Sequence, residues 1–210
     1  MFLRNAGRWA WLIALFISAA SAQERIQLCA ACHGDGGNSV NPEVPSIAGQ
    51  PKLFIENQLV IFREELRRSD QMLPVVKGLK DADIVKLAEH FSKLPAKSME
   101  SAPADPALVR QAQAKAKELR CGICHLSDYS GQNQVPRLAA QRELYLEREM
   151  RAYRDGKRSG GDTIMAAALY GVSDADIKAL AHFLSRVSPR GDASPAPARS
   201  ARKGPSAAPK

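Results

Sequence analysis

Cysteine is scarce in this sequence: 210 residues contain four, at positions 29, 32, 121 and 124. All four fall in two C-x-x-C pairs, which leaves no thiol for a cross-link between distant parts of the chain. No stretch alternates apolar and polar residues in the manner of a strand, so a sheet-based fold is not expected. No apolar run reaches the roughly 20 residues of a membrane span; the run Trp9 to Ile17 is the best candidate and is too short. Arg4 and Arg8 precede that run, no acidic residue accompanies them, and Ala20-Ser21-Ala22 follows. This is the layout of a secretory signal peptide, so residues 1–22 are expected to be absent from the mature protein. An uncleaved anchor is the alternative.

The formal charge of +8 is unevenly spread. Without residues 1–22 it falls to +6, and residues 189–210, with five basic residues and one Asp, hold +4 of that. The body carries only +2. The basic character is thus a property of the tail and gives no reason to expect nucleic-acid binding. That Pro/Ala/Ser/Arg/Lys tail has too little apolar content to pack and is expected to be disordered. It offers charge to anionic lipid or an acidic partner; a solvated tail without a specific role is the simpler reading.

Each C-x-x-C pair ends in histidine: Cys29-Ala30-Ala31-Cys32-His33 and Cys121-Gly122-Ile123-Cys124-His125. C-x-x-C-H is the attachment signature of a c-type haem. Thiols three positions apart lie within one helical turn and reach the two vinyl groups of one porphyrin. The adjacent imidazole then supplies the proximal nitrogen to the iron. A disulfide within each pair is the plain alternative in an oxidising compartment, and zinc or a redox dithiol are others. None of these requires the terminal histidine twice. Two covalently attached haem c groups are expected, and their propionates would bring the body near neutrality. Covalent haem and an export signal agree on a periplasmic address.

The body is an internal duplication of about ninety residues. With Cys29 set against Cys121, Pro45-Ser46-Ile47-Ala48-Gly49-Gln50 answers Pro136-Arg137-Leu138-Ala139-Ala140-Gln141. Leu53-Phe54-Ile55 answers Leu144-Tyr145-Leu146, and Phe62-Arg63 answers Tyr153-Arg154. After a two-residue slip Met72 answers Met165, and Asp81-Ala82-Asp83-Ile84 answers Asp174-Ala175-Asp176-Ile177. The expected division is a first domain at 23–94, a linker at 95–104 and a second domain at 105–188.

Both halves read as helical. Ile55, Leu59, Phe62 and Leu66 fall at helical spacing, as do Leu146, Met150 and Tyr153. Ile84, Leu87, Ala88 and Phe91 mark the last helix of the first half; Ile177, Leu180, Ala181 and Leu184 mark that of the second. Ser173 with Asp176 reads as a capping box. Lys80 occupies the matching place, so Asp81 is the expected cap there. Asp105-Pro106 opens a helix through Leu119. Only six residues separate Ala22 from Cys29, so the helix before the first motif is expected to be little more than one turn.

The ligand opposite each histidine decides the chemistry. Met raises the potential and suits electron transfer; an open site permits oxygen or peroxide chemistry. Met72 and Met165 lie 39 and 40 residues after His33 and His125, in stretches that read as loops between helices. Their matched placement favours ligation over core filling. Met150, set against Leu59, reads as core. His90 and His182 do not align with each other and read as surface or packing residues.

The sequence resembles the class I c-type cytochromes, and its duplication resembles the diheme cytochrome c-four family, over Gln23 to Val187. The resemblance rests on Cys-Ala-Ala-Cys-His-Gly, Asp35-Gly36-Gly37-Asn38-Ser39, Pro45-x-Ile47-x-Gly49-Gln50, Met72-x-Pro74 and the closing Asp-x-Asp helix. It implies an all-α fold of two tandem class I cytochrome c domains, each a small helical bundle around one haem. It implies that the Pro45 and Pro136 carbonyls accept the proximal His N–H groups, and that Met72 and Met165 are distal ligands. Three positions depart from the pattern: Leu126 and Ala140 replace glycine, and Ala167 replaces proline. The function expected is a soluble periplasmic electron carrier in a respiratory chain, with a quinol-oxidising complex as donor and a terminal oxidase as acceptor. The alternatives are the haem-bearing subunit of a periplasmic dehydrogenase and a diheme oxidoreductase with one open site.

Overall fold

The computed structural model describes residues 23–100, 102–160 and 162–189. The expected signal peptide, 1–22, and all but the first residue of the expected tail, 189–210, lie outside them. Helix α1 spans 23–33 and is followed by α2 (Lys52–Arg63), α3 (Leu73–Val76), α4 (Asp81–Lys93), α5 (Pro106–Glu118), α6 (Cys121–His125), α7 (Glu143–Arg154), α8 (Thr163–Leu169) and α9 (Asp174–Arg186). The only pairing of extended backbone among the described residues is an isolated bridge between Gln132 and Val135.

Two separate apolar cores form, one per half. In the first, Ile55 and Phe62 of α2 meet Ile84, Leu87, Ala88 and Phe91 of α4, with Val76 and Leu79 between them. In the second, Leu146 and Met150 of α7 and Ala112 and Ala116 of α5 meet Ile177, Leu180, Ala181 and Leu184 of α9. Each large apolar side chain removed from water contributes about 1.5–3 kcal/mol. These are the stripes the periodicity marks, with one exception. Leu66 lies beyond the end of α2 and is exposed, because Glu65 turns left-handed at φ 56° and breaks the period.

One local expectation changes, at the start of α4. The six residues of α1 before the first motif make little more than one turn, as read, and the Cys-x-x-Cys-His motif is itself helical and carries α1 on to residue 33. In the second half the same motif is a separate helix, cut from α5 by Arg120 at φ 55°. The start of α4 is closed by Asp83, whose carboxylate accepts from Lys80 N–H at 3.0 Å; Asp81 instead pairs with Arg63 at 2.7 Å. The starts of α5 and α9 are as read: Asp105 accepts from Ala107 N–H at 2.7 Å, and Ser173 from Asp176 N–H at 3.1 Å.

The described residues between α4 and α5 form no helix yet are stitched to both halves. Asn38 donates to Pro95 O and accepts from Lys97 N–H. Glu100 accepts from Glu143 N–H at the start of α7.

The halves meet through reciprocal contacts between equivalent residues. The Gln141 side chain bonds both backbone groups of Ser46, at 2.7 and 2.9 Å. The Gln50 side chain bonds both backbone groups of Arg137, at 2.9 and 3.1 Å. Farther along, Arg67 and Arg158 share the Glu149 carboxylate, at 2.7 and 2.9 Å. Gln58, the counterpart of Glu149, accepts from both arginines.

The glycine replacements keep the backbone of their counterparts. Gly34 and Gly49 have φ 83° and 63°; Leu126 and Ala140 have φ 68° and 54°. A Cβ on Gly34 would meet Asn38 O at 2.1 Å. The equivalent loop around Leu126 is one residue shorter between His and Pro and accommodates a side chain. The backbone cost stays: at φ 68° and ψ 160° Leu126 sits where glycine alone is comfortable, a strain of about 1–3 kcal/mol. Leu126→Gly is expected to raise stability by about 1 kcal/mol after the greater unfolded-state entropy of glycine is set against it. A lower denaturant midpoint with unchanged slope would contradict this.

Candidate haem centres

α1 and α6 place two thiols and an imidazole within about one turn of helix, twice over. In each motif the first cysteine is half-buried and the second exposed, and no disulfide joins any of the four. Burial pushes the Cys29 and Cys121 thiols up. Among the described residues no three His, Cys, Asp or Glu side chains converge as a cage for a metal ion, so the arrangement is not that of a zinc site.

The histidines are set identically. His33 Nδ1 lies 2.8 Å from Pro45 O, and His125 Nδ1 lies 2.9 Å from Pro136 O. A carbonyl only accepts, so Nδ1 carries the proton and Nε2 keeps its lone pair. Burial holds both imidazoles below the ordinary histidine range, and the bond to the Pro carbonyl partly opposes it. Each ring is therefore neutral at pH 7, with its free nitrogen fixed in direction. That is the state a metal-ligating imidazole needs.

The structure brings His33 together with Met72, and His125 with Met165. Both methionines are half-buried and pack on the core of their own half. Their backbone settings differ. Met72 precedes α3, where Pro74 occupies the first turn. Met165 lies inside α8 rather than in a loop, because Asp162 caps that helix at Ile164 N–H (2.7 Å) and Ala167 continues it where the first half has proline. Met150 is core. His182 is a packing residue, accepting from Asp105 N–H at 2.8 Å and facing Glu143 at 3.2 Å. His90 stands edge-on to Phe91.

The donor set fits a haem: two thiols for thioether bonds, an imidazole nitrogen with a free lone pair and a thioether sulfur. A further residue supports it. Arg137 is 3% exposed, its guanidinium reaches only the carbonyls of Ala48 and Ala139, and its Nε has no hydrogen-bond partner among the described residues. Burial lowers its pKa to about 10. A buried cation beside Pro136, bonded to neutral carbonyls, suits the anionic propionates of a haem. Arg137, Gln50 and Gln141 did not emerge as functional residues from the sequence. Their one signal was polarity held at matched places within an apolar repeat.

Comparison with known proteins places these centres in context. A family model for cytochrome c matches residues 109–188. A cytochrome c4 from Thiocapsa roseopersicina is 31% identical over 169 residues, covering 77% of this chain and 88% of that one. A thiosulfate dehydrogenase electron acceptor from Thiomonas intermedia is 32% identical over 193 residues, covering 84% and 88%. The crystal structure of reduced cytochrome c4 from Pseudomonas stutzeri superposes with a TM-score of 0.72 at 27% identity, covering 81% of this chain and 98% of that one.

Proposed function

Because the chain belongs to the cytochrome c4 family of diheme electron carriers, we propose that two haem c groups are held by Cys29, Cys32, His33 and Met72 in one half and by Cys121, Cys124, His125 and Met165 in the other. Domains at 23–94 and 105–188 each carry one. Each group, when bound, supplies one reversible ferric–ferrous couple. The protein's part is to hold its ligands still. The neutral imidazoles are locked by Pro45 and Pro136, and the methionines are seated on packed cores, so little rearrangement accompanies a change of charge.

The observation that carries this reading is the repetition itself: the same His–Pro bond, at 2.8 and 2.9 Å, behind the same Cys-x-x-Cys-His motif, with a methionine beside each histidine. Two ligands on each iron leave no position for substrate, which is the requirement for a carrier. A pyridine haemochrome assay should give two haems per chain, and the ferric protein should show the near-red Met–iron band; one haem per chain would overturn the assignment.

The partners are redox proteins. A quinol-oxidising complex as donor and a terminal oxidase as acceptor, in the periplasm, fit the Arg-flanked signal layout and covalent haem. No helix among the described residues is long and apolar enough to cross a membrane. The similarity to a thiosulfate dehydrogenase electron acceptor favours a second donor, a periplasmic dehydrogenase. Stopped-flow reduction of the ferric protein by each donor separates the two.

A further inference from the structure

We propose that Gln50 and Gln141 are positioning residues, each tuning the proximal histidine of the opposite half. The inference rests on the ligand assignment above. Pro45 C=O and Ser46 N–H belong to one peptide group, whose C–N bond is partly double. Gln141 Oε1 accepts from that N–H at 2.7 Å. The same peptide's oxygen accepts the His33 Nδ1–H at 2.8 Å. A bond at the N–H end draws amide electrons toward the oxygen, and such chains strengthen one another in a dry interior. Pro45 O is thereby a better acceptor, the imidazole gains anionic character and its Nε2 becomes more basic.

The second half repeats the arrangement with the roles exchanged. Gln50 Oε1 accepts from Arg137 N–H at 2.9 Å, and Pro136 O, on the same peptide, accepts from His125 Nδ1–H at 2.9 Å. In both cases the amide nitrogen of the glutamine donates to the carbonyl of the same residue, Ser46 O at 2.9 Å and Arg137 O at 3.1 Å. Bonding an N–H and a C=O at once fixes which end of the amide faces which group. Gln141 Oε1 also accepts from Arg142 N–H at 3.0 Å. Both glutamines are 3% exposed, so water does not substitute for them. Each half therefore supplies the final link of the other half's His–Pro chain.

A more basic imidazole stabilises the ferric state, so removing the link raises the potential. Gln141→Met keeps the side-chain length and loses the amide. In the holoprotein it is expected to shift the midpoint potential of the first-half haem upward and leave the second in place; Gln50→Met is expected to do the reverse. Haem methyl resonances assigned by half identify which centre moved. In the ferrous protein the His33 Nδ1–H resonance should move upfield in Gln141→Met alone. Loosening of the seam would instead move both centres together. Equal shifts, a shift in the variant's own half, or no shift overturns the proposal. Should the variants fail to fold, amide exchange in the wild-type protein decides: Ser46 and Arg137 N–H are expected to be strongly protected, and exchange at the rate of open amides overturns it. Failure of the ligand assignment looks different, since it would show as a missing Met–iron band in the unsubstituted protein.

Discussion

Met72→Ala is expected to lower the potential of the first-half haem, and Met165→Ala that of the second. Axial-ligand identity spans about 0.8 V across haem proteins, so loss of the thioether should move one wave by an amount on the order of tenths of a volt. The same change opens one coordination position, and the altered centre should bind added imidazole or cyanide while the other stays closed. Both methionines pack on their cores, so truncation also costs stability. Leucine at either position retains the volume and lacks the sulfur; it should reproduce the shift in potential with a smaller loss of stability. Optical redox titration reads both waves in one experiment. If neither wave moves in either variant, the distal assignment is wrong.

The second large effect concerns the seam. Among the described residues Glu149 is the one carboxylate paired with both Arg67 and Arg158, whose side chains are 11% and 9% exposed. Each guanidinium also lies over a ring, Arg67 at 4.6 Å from the Phe62 centroid and Arg158 at 4.3 Å from that of Tyr153. Those rings and the neutral Gln58 do not cancel the charge. Removing one partner from a buried ion pair costs about 3–5 kcal/mol because the remaining charge stays desolvated. Glu149→Ala strands two cations and is expected to lose stability at the upper end of that range. Glu149→Gln, which recreates the chemistry of Gln58, should cost less because the amide oxygen still accepts. Chemical unfolding followed by helix content reads the loss. A change under about 1 kcal/mol, the size of an exposed pair, would show that the seam is hydrated.

Much of the local structure was legible because it is set by near neighbours. Asp105 and Ser173 announce helix starts because a cap acts over three residues. The apolar stripes of α4 and α9 identify their buried faces because the helix repeats every 3.6 residues. Where a local signal was ambiguous the reading slipped. Lys80 gave no cap, and Asp83 rather than Asp81 supplied it. The stretch around Met165 read as a loop because glycines precede it, whereas Asp162 and a run of alanines make it helix.

The sequence by itself determined the covalent chemistry: the spacing of cysteine and histidine sets what each motif can bind, and the duplication says that it happens twice. The tertiary structure alone decided which groups stand behind the His–Pro bonds. Gln141 reaches Ser46 across 95 positions, and Gln50 reaches Arg137 across 87. Bonds of that reach leave no periodicity in the chain. They exist because two similar halves, packed face to face, present the same residue to each other, and a buried amide must find a partner there.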